Sequence, residues 1–141
     1  MKVIRTAKLT DSEEIKRLCT QLGYSVSIEQ IKLRIERLTN DINNAIFVYQ
    51  INDNLSGWVH VFGKYLIELE YAEIGGLVVD SNYRRQGIGL KLMNECKEWA
   101  IENNFKEIRL RSGGQRKGAH EFYKQIGYEN PNWQELFIMK I

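Results

Sequence analysis

The sequence predicts an α/β (α+β) domain, a mixed sheet with helices on its faces. Two observations lead there. Apolar residues switch between helical spacing and alternation along the chain, with turn residues at the switches. The resulting order is strand, two helices, a run of strands, then helix, strand, helix, strand.

The elements follow in order. Val3 to Ala7 reads as a short strand. Asp11 or Ser12 can cap a helix whose apolar positions Ile15, Leu18, Cys19 and Leu22 follow i, i+3, i+4, i+7, with Gly23 as its stop. A second helix follows Ser27, with Ile28, Ile31, Ile35 and Leu38 as its stripe. The period then changes. Ala45 to Ile51 reads as a strand and Asn52-Asp53-Asn54 as a turn. Gly57 to Phe62 and Leu66 to Leu69 read as strand broken at Gly63-Lys64, and Tyr71 to Val79 as a further strand. Gly75-Gly76 inside it suggest a bulge or a close backbone approach. Gly87 to about Asn103 is helical, and Glu107 to Arg111 alternates. Ala119, Phe122, Tyr123 and Ile126 make a last helical stripe ending at Gly127, and Leu136 to Ile141 closes with a strand.

The 141 residues fit one domain, residues 1–141. A chain of this size buries about two-thirds of its unfolded surface and needs no disulfide or metal staple. A net charge of +2 is too balanced to predict nucleic-acid binding. Cys19 and Cys96 lie on separate apolar stripes without metal or redox spacing, so they read as core residues and no metal is expected. Met1 to Arg5 lacks the long apolar stretch of a signal peptide, and no apolar run reaches the ~18–20 residues of a membrane span. A cytoplasmic protein without a membrane partner is expected.

The most informative stretch runs from Leu77 through Val78, Val79, Asp80, Ser81, Asn82, Tyr83, Arg84, Arg85, Gln86, Gly87, Ile88 and Gly89 to Leu90. A strand ends, a polar turn follows, and a long helix begins. Helix starts expose unpaired N–H groups and a partial positive charge, which suits a phosphate. Gly87 and Gly89 let backbone approach an anion, and Arg84 and Arg85 add charge. A helix start with solvated arginines is the plain alternative. A P-loop lacks its Gly-Lys-Ser/Thr here, and a dinucleotide fingerprint lacks its third glycine, because Leu92 stands there.

Arg84-Arg85-Gln86-Gly87-Ile88-Gly89 resembles the Gln/Arg-x-x-Gly-x-Gly/Ala signature of the GCN5-related N-acetyltransferase family. Phe122-Tyr123-Lys124-Gln125-Ile126-Gly127-Tyr128 resembles that family's Phe-Tyr-x-x-x-Gly-Phe/Tyr element, and the two appear in family order over nearly the whole chain. The resemblance implies an acyl-CoA N-acyltransferase fold with a mostly antiparallel central sheet. It implies acetyl-CoA (coenzyme A) as cosubstrate and an amine of a small molecule or peptide as acceptor, attacking directly in a ternary complex. Backbone of Leu77, Val78 and Val79 would pair with the pantetheine arm, and N–H groups from Arg85 through Gln86, Gly87, Ile88, Gly89 and Leu90 would cradle the pyrophosphate. Arg84 or Arg85 would reach the ribose phosphate. Ser112 would touch cofactor, although Gly113 and Gly114 stand where relatives often carry Asn. A homodimer stays open.

Aminolysis of a thioester needs a neutral amine, a donor for the oxyanion and a proton for the leaving thiolate. The resemblance makes Tyr123 the acid; a purely core role is the alternative. Glu73, which precedes the glycine pair between apolar neighbours, is the candidate base; a solvated glutamate or an anchor for a cationic substrate are its alternatives. Glu68 and Glu70 are weaker competitors. His60, on an alternating strand, reads as structural. His120 lies one turn before Tyr123 and shares its face. Arg109, Arg111, Arg116 and Lys117 form a basic cluster read as solvated surface. Tyr24 to Ser27, the strand around His60 and the tail near Trp133 are expected to border the acceptor. The rival reading is a catalytically silent acyl-CoA-binding sensor, with a nucleotide-binding module behind it.

Overall fold

The computed structural model describes residues 1–112 and 117–141. They fall into two compact units, Met1–Leu110 and Arg111–Ile141.

The first unit is built on a five-stranded sheet in sequence order. Its strands are β1 (Lys2–Thr6), β2 (Asn44–Ile51), β3 (Asn54–Tyr65), β4 (Glu70–Val79) and β5 (Ile108–Leu110). The first four pair antiparallel and β5 joins β4 in parallel. The helices are α1 (Ser12–Gln21), α2 (Ile28–Thr39) and α3 (Ile88–Glu102). This is the mixed, mostly antiparallel sheet with flanking helices that the sequence predicts.

Amphipathic stripes decide the layers. Ile15 and Leu18 of α1 and Ile31 and Ile35 of α2 are buried with Ile46 and Val48 of β2, Leu55 of β3 and Val78 of β4. Trp58, Cys19 and Leu38 pack against this cluster. On the other face α3 packs on β3 and β4, burying Ile88, Leu92, Met93, Cys96 and Ala100. Burial pushes the Cys96 thiol up to about 12, as for an inert core residue. Removing Leu18, which has no exposed surface, would cost about 2–5 kcal/mol.

Ser27 caps α2 as the sequence suggests: its hydroxyl accepts from the Gln30 N–H at 3.2 Å, and Gln30 Oε1 accepts from the Ser27 N–H at 3.0 Å. Asp11 acts one turn earlier than expected. It accepts from the Lys8 N–H at 2.7 Å and takes both Arg5 Nη groups at 2.9 Å, so it fastens β1 to the entry of α1.

Two expectations are corrected. β3 does not break at Gly63-Lys64 but continues to Tyr65. A Cβ at Gly63 would collide with both Asn43 Oδ1 and Phe105 Cζ, so the glycine answers to crowding, not to a turn. Leu66 to Leu69 is instead the hairpin connection, closed by Leu66 N–H to Leu69 O at 2.9 Å.

The second unit holds α4 (Lys117–Gln125) and the chain to Ile141. Gly127, at φ +108°, ends the α4 segment, with its N–H bonded to Lys124 O at 3.2 Å. The predicted strand Leu136 to Ile141 is not formed. Its apolar residues Leu136, Phe137, Ile138, Met139 and Ile141 are exposed, and alternation without a partner strand makes no ladder.

No helix of the described residues is long and apolar enough to cross a membrane.

Candidate active site

β4 carries the site's frame. β5 pairs with it only at Ala72, Glu73 and Ile74. From Gly75 to Val79 its β5-side edge has no strand partner among the described residues. The register with β3 slips at the same point: His60 pairs with Gly76 and Val61 with Ile74, so Gly75 is the extra residue of a bulge and stands exposed. The predicted bulge is therefore present. Leu77, Val78 and Val79 lie on this open stretch, held on the other side by Val59, Trp58 and Gly57.

The stretch runs directly into the turn before α3. Gly87 is the N-cap at φ +79°, and Arg85 also has positive φ, at +64°. The first helical hydrogen bond runs from Lys91 N–H to Gly87 O at 3.1 Å, so the N–H groups of Ile88, Gly89 and Leu90 have no acceptor inside the helix. The first turn holds no acidic residue, and no side chain caps it. Arg84, Arg85, Gln86 and Gly87 are exposed. Nothing lies within 4 Å of where a Gly87 Cβ would be. The turn is thus open, unblocked and positive, as a phosphate cradle requires.

Support for this turn comes from residues the sequence analysis did not single out. Asp80 is only 3% exposed. It accepts from Arg17 Nη1 at 2.8 Å, from Gln21 Nε2 at 3.3 Å and from the Asn82 N–H at 3.0 Å. Gln21 Oε1 accepts from the Ser81 N–H at 2.9 Å. Arg17 also holds Leu55 O and Glu14. Burial alone would raise the Asp80 carboxyl, but the Asn82 N–H, Arg17 and Gln21 together keep it below the usual carboxylate range. The legible signal was a helix-start Asp before Ser81-Asn82; its partners 59 to 63 residues away were not legible.

Trp58, His60, Phe62 and Lys64 of β3 and Glu73 of β4 share the sheet face that carries α1 and α2, since Glu73 pairs with Phe62. Glu73 is half-buried, and Lys64 Nζ lies 3.7 Å from its Oε1. The His60 ring stacks at a tilt on Phe62, 5.3 Å between centroids. Its Nε2 is 2.8 Å from Asn44 Oδ1, and burial pushes its pKa below the ordinary value. Glu68 falls in the hairpin connection and Glu70 opens β4, both exposed. A cavity of about 440 Å³ lies at the α1–α2 connection, lined by Lys16, Thr20 and residues 23–27 including Tyr24 and Ser25.

In the second unit, Tyr123 lies half-buried on α4, its ring 5.4 Å from Phe122 and 6.2 Å from Tyr128. His120 precedes it by one turn, as expected. Ser112 Oγ is buried with no hydrogen-bond partner among the described residues. Arg111 donates to Gln134 Oε1 at 2.7 Å. Arg109, in the first unit, lies over the Tyr71 ring at 4.2 Å. Gly113, Gly114, Arg116 and the Lys117 side chain lie outside the described residues.

A model of the acetyltransferase (GNAT) family matches residues 12–128, and the chain belongs to this family. Over 89 residues it is 34% identical to an uncharacterised N-acetyltransferase of Methanocaldococcus jannaschii, covering 61% of this chain and 39% of that protein. Over 79 residues it is 30% identical to streptothricin acetyltransferase A of Bacillus subtilis, covering 56% and 44%. The chain spans less than half the length of these two relatives. Among solved structures, a transcriptional regulator from Bacillus halodurans matches with TM-score 0.88 at 23% identity, over 99% of this chain and 100% of that one. AAC(6')-Iy in complex with the bisubstrate analogue CoA-S-monomethyl-acetylneamine matches with TM-score 0.87 at 14% identity, over 100% and 99%. These two likenesses are likenesses of fold, and they identify it as the acyl-CoA N-acyltransferase fold.

Proposed function

We propose that residues 1–141 act as one catalytic domain that transfers the acetyl group of acetyl-CoA to a primary amine of a small molecule or peptide, by direct attack in a ternary complex. One observation carries the reading: from Gly75 to Val79 the β5-side edge of β4 has no strand partner among the described residues, and it leads straight into an uncapped, positive helix start. Leu77, Val78 and Val79 would offer main-chain groups to the pantetheine arm as an added strand does. The N–H groups from Arg85 to Leu90 would hold the pyrophosphate, with Arg84 or Arg85 at the ribose phosphate. Ser112, whose hydroxyl lacks a described partner, is a further contact.

The acceptor enters on the His60–Glu73 face. Of the roles that the sequence leaves open for Glu73, the ion pair with Lys64 supports the anchor: the carboxylate already holds one ammonium and would hold a second, that of the substrate. The amine attacks the carbonyl carbon, the C–N bond forms, and the C–S bond breaks. A main-chain N–H at Leu77 or Val78 steadies the oxyanion. Tyr123 gives its phenolic proton to the departing sulfur and regains one from the nitrogen. The name of the Bacillus subtilis relative gives streptothricin as its acceptor, which supports a small-molecule amine here.

The test is thiol release from acetyl-CoA across an amine panel, scored by product mass, beside calorimetry with coenzyme A, NAD and ATP. Coenzyme A binding with product formation supports the proposal. Coenzyme A binding without any product supports the silent sensor, and preference for NAD or ATP removes both.

A further inference from the structure

The structure points to His60 as the group that takes the proton from the acceptor amine, through Nδ1. The inference rests on the acetyl-transfer reading above and assigns a step which that reading leaves open.

Three facts of position carry it. First, the tautomer is set. Asn44 Nδ2 donates to Asp41 Oδ2 at 3.0 Å, which turns Asn44 Oδ1 toward His60. Oδ1 lies 2.8 Å from Nε2, and an amide oxygen only accepts. Nε2 therefore carries the hydrogen, and Nδ1 keeps its lone pair. Second, Nδ1 borders the bulge. A Cβ on Gly75 would stand 2.6 Å from it, nearer than to any other ring atom, so the Nδ1 edge of the imidazole sits beside the point where β4 leaves β5. Nδ1 makes no hydrogen bond with any described residue. Third, the bulge is open to an incoming molecule, since Gly75 is exposed.

The surroundings keep the imidazole neutral. The helix residues packed on this face are Ile15, Leu18, Cys19, Ile31, Ile35 and Leu38, of which only the Cys19 thiol titrates. The charged groups sharing the face are Lys64 on β3 and Glu73 on β4, paired with each other, Arg5 on β1, paired with Asp11, and Arg109 on β5, which lies over the Tyr71 ring, while Asp41 stands behind Asn44. Burial lowers the His60 pKa, so the base form prevails at neutral pH.

The step balances. The substrate ammonium, held by Glu73, loses one proton to Nδ1 and becomes a free amine. Its nitrogen attacks the thioester carbon, a second nitrogen proton replaces the one Tyr123 gives to sulfur, and the imidazolium returns its proton to water. The products are the amide, the free thiol of coenzyme A and one proton.

The experiment uses the full chain with an amine accepted by the wild type. His60→Ala and His60→Gln are compared with wild type for kcat, for coenzyme A affinity by calorimetry, and for kcat/KM against pH. The expected result is a fall in kcat of about 100-fold with coenzyme A affinity unchanged. The acid limb belonging to His60, with its midpoint below the ordinary histidine value of about 6.5, also disappears. Partial recovery on adding free imidazole to His60→Ala is expected as well. A kcat within about threefold of wild type in either folded variant overturns the assignment while leaving acetyl transfer standing. If both variants fail to fold, imidazole nitrogen shifts of the wild type decide: a protonated Nδ1 at neutral pH overturns the proposal, and an unprotonated Nδ1 beside Nε2–H sustains it. A wild type that binds coenzyme A but acetylates no amine overturns both this step and the reading beneath it.

Discussion

Arg17 on α1 donates from Nη1 to Asp80 Oδ2 at 2.8 Å and so ties the first helix to the residue that follows β4. The turn that follows is held at its base before its exposed part begins. Replacing Asp80 by alanine takes an acceptor from Arg17, from Gln21 and from the Asn82 N–H. We expect a loss of about 2 kcal/mol in urea denaturation, together with weaker coenzyme A binding. The acid dependence has a definite sign. The carboxyl is depressed in the folded state, so its contribution is full above the ordinary value of 3.8 and fades as pH falls through the lower folded value. Asp80→Asn should flatten that part of the acid unfolding curve; an unchanged curve counts against the clamp.

Gly75→Ala places a methyl 2.6 Å from His60 Nδ1. The imidazole must move or the bulge must open. The expected outcome is a retained fold, a stability loss of about 1–3 kcal/mol, and a fall in kcat larger than any change in coenzyme A affinity. Thermal melts and steady-state kinetics on the same preparation check this.

Gly87→Ala meets no neighbour, yet its φ of +79° is disfavoured for an L side chain. The strain is about 1–2 kcal/mol. If the helix start relaxes to relieve it, the N–H groups turn away from the proposed pyrophosphate position. Calorimetry should show coenzyme A affinity lowered by about tenfold with little change in global stability.

Glu73→Gln should raise KM for a cationic amine by about tenfold and leave kcat within about threefold, as expected of an anchor. Lys64→Met should move KM the opposite way, since the carboxylate then has one ammonium fewer to hold. A collapse of kcat with unchanged KM would assign Glu73 to proton transfer instead.

Tyr123→Phe removes the proposed acid while keeping the ring packing against Phe122 and Tyr128. We expect kcat to fall about 100-fold with acetyl-CoA. A thioester of a more acidic thiol needs no proton on leaving, so the deficit should shrink with such a donor. An equal deficit with both donors would return Tyr123 to the core.

The layers and the uncapped turn before α3 were legible because periodicity and glycine placement are local properties. Ile15 and Leu18, Ile31 and Ile35, and Gly87 each announce their role within a few residues. What was not legible is set by partners distant in sequence. Gly63 looked like a break because nothing nearby reveals Phe105 pressing on it from 42 residues away. Leu136 to Ile141 looked like a strand because alternation is visible in a sequence and an absent partner is not. The role proposed for His60 could not be read from the sequence because it depends on a one-residue slip between β3 and β4 that sets Nδ1 beside Gly75. Asp80 was passed over since Arg17 and Gln21 reach it only in the folded chain.

The proposed cofactor surface is made almost wholly of main chain: the open margin of β4 and the first amides of α3. Peptide groups are common to every residue, so such a surface survives nearly any drift in the side chains around it. That frees residues such as Tyr24, His60, Phe62 and Glu73 to diverge under selection for a new acceptor without disturbing donor recognition.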